Sequence, residues 1–284
     1  MSVDRASFVS MASSNNPALN RVPAFRQGGV PRPVDPNSVG QAPDLETLFN
    51  ARSAGAAETG RMTYEDTVVK TIVLFAVLLA AGVVSWFIPA LTVIGAIVGL
   101  VLGLVNAFKR NPSPALIVTY AAAQGIFLGG ISRIFEQFFG GVVVQAVVAT
   151  LGVFAVMLAL FASGKVRASN RLTKVFLGAM VGYLVYSLVN VGLMVFGGVS
   201  SDLAFGLNSM TFMGIPIGLI VGILAVLMGA YSLVLDFEFI KNGVENRAPR
   251  VFGWQGAFGL MVTLIWLYVE FLRLFAILSG GGRN

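Results

Sequence analysis

The 284-residue chain has neither cysteine nor histidine. Without cysteine there is no disulfide, no thiolate nucleophile and no cysteine-ligated metal. Without histidine the usual general base, zinc ligand and switch near neutral pH are missing too. Any sensing of protons would fall to a carboxylate. Charge is scarce as well: Asp, Glu, Lys and Arg make up 11% of the residues, about half of what a soluble chain carries. No HExxH pattern occurs, and Ser132 in Gly130-Ile-Ser132 has no base to pair with. The chain is therefore expected to be no enzyme and to need no cofactor.

What is abundant is apolar sequence. Hydrophobic residues make up 56% and the mean hydropathy is +0.83. Apolar segments fall at Val68–Ile88, Leu91–Phe108, Pro114–Phe135, Val142–Ala162, Val175–Phe196, Phe212–Leu235 and Trp254–Leu278, each of about the length that crosses a bilayer core. Alternating period-2 strands, the mark of an outer-membrane barrel, are absent. The expected fold class is all-α, a polytopic membrane protein with seven transmembrane helices. Turns are expected at Pro89, at Asn111-Pro-Ser-Pro114, at Gly140-Gly141 and at Gly197-Gly198, and the short Pro89 connection predicts that the first two helices form an antiparallel hairpin.

Residues 1–62 read as a separate, disordered tail ahead of a membrane domain over 63–284. Pro17, Pro23, Pro31, Pro33, Pro36 and Pro43 lie in this stretch among Ser, Asn and Gly, too few apolar groups to offset chain entropy. No signal-peptide core follows the start. At Thr63-Tyr-Glu-Asp66 a cap-like pattern opens the first helix, with acids in its first turn.

The net charge of +6 suggests membrane topology rather than nucleic acid, because basic residues flank spans on the cytoplasmic side. Arg52, Arg61 and Lys70, then Lys109 and Arg110, then Lys165, Arg167, Arg171 and Lys174, then Lys241, Arg247 and Arg250 all fall on one side. The other side has only Arg133, Arg273 and Arg283. The N-terminus is expected in the cytoplasm. The C-terminus is then outside if the seventh segment spans, and inside if that segment re-enters. The expected surroundings are the lipid bilayer, with a membrane-protein partner as an option and no nucleic acid.

Glycines at four-residue spacing form two ridges, Gly95, Gly99 and Gly103 in the second span and Gly214, Gly218 and Gly222 in the sixth. Such ridges let helix backbones approach closely. Pro216 is expected in the first turn of the sixth helix.

Charge inside a membrane is expensive and by default marks function. No charged residue lies between Asp202 and Asp236, so Asp236 ends a long uncharged run. Either it begins a loop in headgroup territory, or it is a titratable group held at the edge of the hydrocarbon, within range of Lys109 and Arg110. Glu270 and Arg273 are neighbours on one helix face, with Thr263 nearly on the same face. They read as a self-neutralising pair or as the lining of a polar pathway. Gln124 and Asn190 stand behind them, whereas Asn106, Gln145, Arg133 and Glu136 suit interfacial positions.

The stretches YAAAQGIFLGGIS (Tyr120–Ser132), SLVLDFEFIKNGVE (Ser232–Glu245) and LIWLYVEFLRLFAIL (Leu264–Leu278) resemble, in that order, the Bax inhibitor-1/YccA-like family of transmembrane Bax-inhibitor-motif proteins, especially its bacterial members. The resemblance covers about Tyr64 to Leu278. It implies a seven-helix bundle with the last helix central, a bacterial plasma membrane, and a pH-sensitive calcium leak. It also implies an alternative: a membrane-embedded modulator of proteases or stress responses, acting by helix contacts. Family members carry a carboxyl pair, one aspartate in the sixth helix and one in the seventh. Asp236 falls on the first position. Counting ten back from Arg273, which matches an arginine of the motif, the second position is Thr263, and Glu270 is two turns away. Gating would then weaken, or Asp236 would work against a base such as Arg110. Gln124 stands where many relatives have glutamate.

Overall fold

The computed structural model describes residues 60–197 and 205–281. The expected tail up to residue 59, and Arg283, lie outside the described residues. Among the described residues seven α-helices follow one another: α1 (Tyr64–Phe87), α2 (Thr92–Phe108), α3 (Pro114–Phe138), α4 (Val142–Ala162), α5 (Asn170–Val195), α6 (Ile217–Glu245) and α7 (Phe252–Gly281). All are long and apolar enough to cross a membrane. This is an all-α, multi-pass membrane protein. α7 is unbroken over 30 residues, about 45 Å at helical rise, long enough to span and without the break that a re-entrant segment would need. The side on which α1 begins is called here the N-terminal face.

Local chemistry sets the helix ends. The Thr63 hydroxyl accepts a hydrogen bond from the Asp66 amide at 3.1 Å, satisfying one of the donors that a helix N-terminus leaves free. α3 starts with Pro114, whose missing N–H costs nothing in a first turn. Gly141 precedes α4 at φ 87°, a left-handed conformation that favours glycine.

α3 lies between α1 and α2. The tight Pro89 connection does join two antiparallel helices, but each packs mainly on α3 instead of on the other. Glycine contacts explain this. A methyl group at Gly125 would stand 2.2 Å from Leu78 O, and one at Gly129 only 2.0 Å from Gly82 O. On the other side, a methyl at Gly95 would be 2.7 Å from Phe127 N and one at Gly99 2.9 Å from the Gln124 amide. Gly103 meets the Tyr120 ring. The backbones touch where side chains would have kept them apart. Near the N-terminal face Asn106 is buried, its amide donating to Leu102 O and Leu116 O.

α7 is the centre of the bundle. Each of three buried clusters includes part of it. Met261 and Ile265 pack with Leu74, Leu78 and Leu128 of α1 and α3. Leu260, Leu264 and Leu267 pack with Leu233, Phe237 and Ile240 of α6. Leu272 packs with Val142 and Ala146 of α4. The outward faces of α2, α4 and α5 are lined by exposed Val, Leu and Ile, as lipid contact requires.

The sixth segment departs from expectation at its start. Helix α6 begins at Ile217, not Phe212. The preceding residues form a small hairpin, β1 (Thr211–Phe212) against β2 (Ile215–Pro216). Pro216 is thus the residue before the helix. Gly214 is in the hairpin turn at φ 81°, with nothing within 4 Å of where a Cβ would stand, so it packs no helix. Gly218 and Gly222 do, against Asn208 with Ile277, and against Leu274.

Gly60, Arg61 and Met62 belong to the folded domain rather than to a tail. Met62 N donates to Ala248 O and Arg250 N to Gly60 O, both at 2.8 Å, and Met62 is buried against α6 and α7. Asp66 fastens the same junction. It pairs with Lys70 and accepts from Arg250 Nε at 2.8 Å, while Lys70 also donates to Arg250 O at 2.8 Å. Lys70 is buried. Asp66→Asn would leave this ammonium without its counter-charge. The expected loss is about 1–3 kcal/mol, read as a lower melting temperature of the purified protein in detergent.

Candidate functional site

Asp236 is not the end of a helix. α6 continues past it to Glu245, so the reading of a loop start in headgroup territory is overturned. The apolar run stops at Leu235, but the amphipathic stretch after it still packs Phe237 and Ile240 on α7. That packing extends the helix.

Ser232 and Asp236 are one turn apart on α6, and Gly259 and Thr263 one turn apart on α7, so two faces meet. Thr263 Oγ1 donates to Asp236 Oδ2 at 2.6 Å, and its oxygen is 3.1 Å from Ser232 Oγ. Each hydroxyl has one proton. With the Thr263 proton given to the carboxylate, Ser232 must donate to Thr263. The result is an ordered relay, Ser232 to Thr263 to Asp236. Gly259 makes room for it, since a methyl there would come within 2.6 Å of Asp236 Oδ1. Thr263 is 3% exposed and Asp236 half-buried, so the carboxylate is wedged between helices with one side open.

Arg110 takes no part. It is exposed on the α2–α3 connection, and among the described residues no cation lies within ion-pair distance of Asp236. The loop is held away because α2 packs on α3, not on α6. Nor do three acidic side chains converge anywhere among the described residues. A cation would meet Asp236 as a single carboxylate with hydroxyl neighbours.

Further along α7 toward the opposite face is a second polar group. Glu270, 3% exposed, accepts from Arg273 and from the hydroxyl of Tyr183 on α5. Arg273 keeps a buried Nε with no partner. Next in line, Tyr186 donates to Asn208 Oδ1 at 2.7 Å, and Asn190 accepts from Leu207 N at 2.7 Å and donates to Phe205 O at 3.3 Å. Between the two groups stands Leu267, wholly buried against Gly229. The polar seam along α5, α6 and α7 is therefore interrupted by one apolar layer.

The sequence pointed to Asp236, Thr263, Glu270 and Arg273, and the structure groups them in two pairs. It gave no notice of Tyr183, Ser232 or Gly259. Ser232 and Gly259 could have been found by counting one turn from Asp236 and Thr263. Tyr183 could not, because nothing local links α5 to α7.

The family described as Bax inhibitor 1 like matches this chain over residues 19–280. The chain belongs to that family. The match begins well before Tyr64, so the likeness reaches into the proline-rich stretch, beyond the span that the three motifs alone suggested. None of the curated proteins compared with this family member matches it.

Proposed function

We propose that this protein is a cation leak for calcium, with Asp236 as its proton-sensitive element and Leu267 as the barrier. The membership carries the ion-transport part of this reading. The observation that carries the gate is the Thr263–Asp236 hydrogen bond, which ties α6 to α7 beside a carboxylate that has no cation partner among the described residues. The Lys and Arg distribution supports a cytoplasmic N-terminal face. No chemical step on a substrate is involved.

The sign follows from the bond. A carboxylate accepts from a hydroxyl about twice as strongly as a neutral acid does. Protonating Asp236 weakens the tie between α6 and α7, and the layer at Leu267 then has less to hold it shut. Flux should rise as pH falls. Purified protein reconstituted in vesicles loaded with a calcium dye is expected to leak faster at pH 6 than at pH 8. Leak no greater than in empty vesicles at either pH would end this reading.

A further inference from the structure

A crevice of about 580 Å³ opens between α1 and α4, which do not pack on one another. Its walls include Leu79, Val83, Val147 and Leu151, with Gly129 and Ile265 at the back. The polar groups that reach it are already satisfied: Ser132 and Tyr268 bond each other at 2.6 Å, and Thr150 donates to Ala146 O at 2.7 Å. What it offers an occupant is hydrocarbon.

Its depth is informative. The lining runs from Phe75 to Phe87 on α1, about 18 Å of helix, against a bilayer core of about 30 Å. A partner's transmembrane helix needs a groove along the whole core. This one stops near the middle, the reach of one leaflet's acyl chain. At its outer end it adjoins a smaller hollow of about 270 Å³ lined by Trp86, Phe87, Arg133, Glu136 and Gln137. Trp86 and Phe87 border both.

Arg133 is the cationic group of that hollow and Glu136 its anionic one. Arg133 lies nineteen residues into α3 from Pro114, about 29 Å along the axis, which puts it at headgroup depth when Pro114 is at the other interface. Its Nη1 donates to Trp86 O at 2.5 Å. No carboxylate is within ion-pair distance of it among the described residues. Glu136, the obvious candidate, instead accepts from Gly141 N at 2.7 Å and Val143 N at 3.3 Å. The guanidinium retains donors for an oxyanion.

We propose that this crevice and hollow form one phospholipid site for the leaflet opposite the N-terminal face, with an acyl chain between α1 and α4 and the phosphate on Arg133. The test is native mass spectrometry of the full chain in detergent with added palmitoyl-oleoyl phosphatidylglycerol. Arg133→Ala is expected to weaken retention about fivefold, the worth of one cation beside an anionic lipid. Val147→Trp fills the crevice from a lipid-exposed position, so folding is kept, and it should abolish retention with Arg133 intact. Equal retention by wild type and both variants overturns the proposal. So does competition by inorganic phosphate as strong as that by the lipid, which would reveal an anion site without a tail. A wild-type chain that retains no lipid, or that fills the crevice by dimerising, overturns it as well.

Discussion

Gly129→Leu is expected to unseat α1 from α3 and to cost more than about 3 kcal/mol, at or beyond the upper end of overpacking penalties. The reason is specific. A single added carbon at this position would lie 2.0 Å from Gly82 O and 2.8 Å from Gly82 Cα. Both are backbone atoms, which cannot swing aside as a side chain does. Gly152→Ala is the control: nothing is within 4 Å of that position on α4, so its effect should stay near zero or be slightly stabilising. Melting curves of the two variants in the same detergent decide the matter. Equal melting temperatures would mean that α1 and α3 do not touch as described.

Asp236→Asn should remove the pH dependence of leak. The amide keeps the shape and can still accept from Thr263, but it cannot ionise. The difference between a charged and a neutral acceptor is about 1 kcal/mol, enough to shift a closed-to-open equilibrium roughly fivefold. Wild type is therefore expected to leak about fivefold faster at pH 6 than at pH 8. The variant should leak at the pH 6 rate throughout. Thr263→Asp tests the same contact from the other helix, because it sets a second carboxyl where the hydroxyl now donates at 2.6 Å. Two acids at that spacing share a proton and titrate as a unit, so the response to pH should steepen. If Asp236→Asn keeps the wild-type profile, Asp236 is a structural acid only.

The helices were legible because hydrocarbon crossing demands long apolar runs, which composition displays directly. Packing was legible in part. Glycine spacing marked Gly95 and Gly99 as contact points, but the same spacing included Gly214, which turned out to be a hairpin residue. Spacing does not distinguish a helix from the loop just before it. The end of α6 was misread for a related reason: charge was taken to end the helix, whereas Phe237 and Ile240 continue its buried face. For the site, Asp236 and Thr263 could be named from sequence, and their contact follows from pairing two helices that are adjacent in the chain. Glu270 with Tyr183 needed α5 and α7 brought together, and no pattern along one strand of sequence encodes that. Arg250 with Asp66 is similar: the Asp66–Lys70 spacing is visible, the third member is not.

The central position of α7 also bears on biogenesis. Synthesis delivers the other six helices first, and until Phe252–Gly281 enters the membrane, Leu74, Leu233 and Val142 face a vacancy that only this helix fills. The nascent bundle must wait, half-assembled and open to intruding lipid, for its last segment to arrive as the keystone. Ribosome stalling just short of Phe252 should therefore trap a protease-sensitive intermediate, although most of the chain has already been inserted.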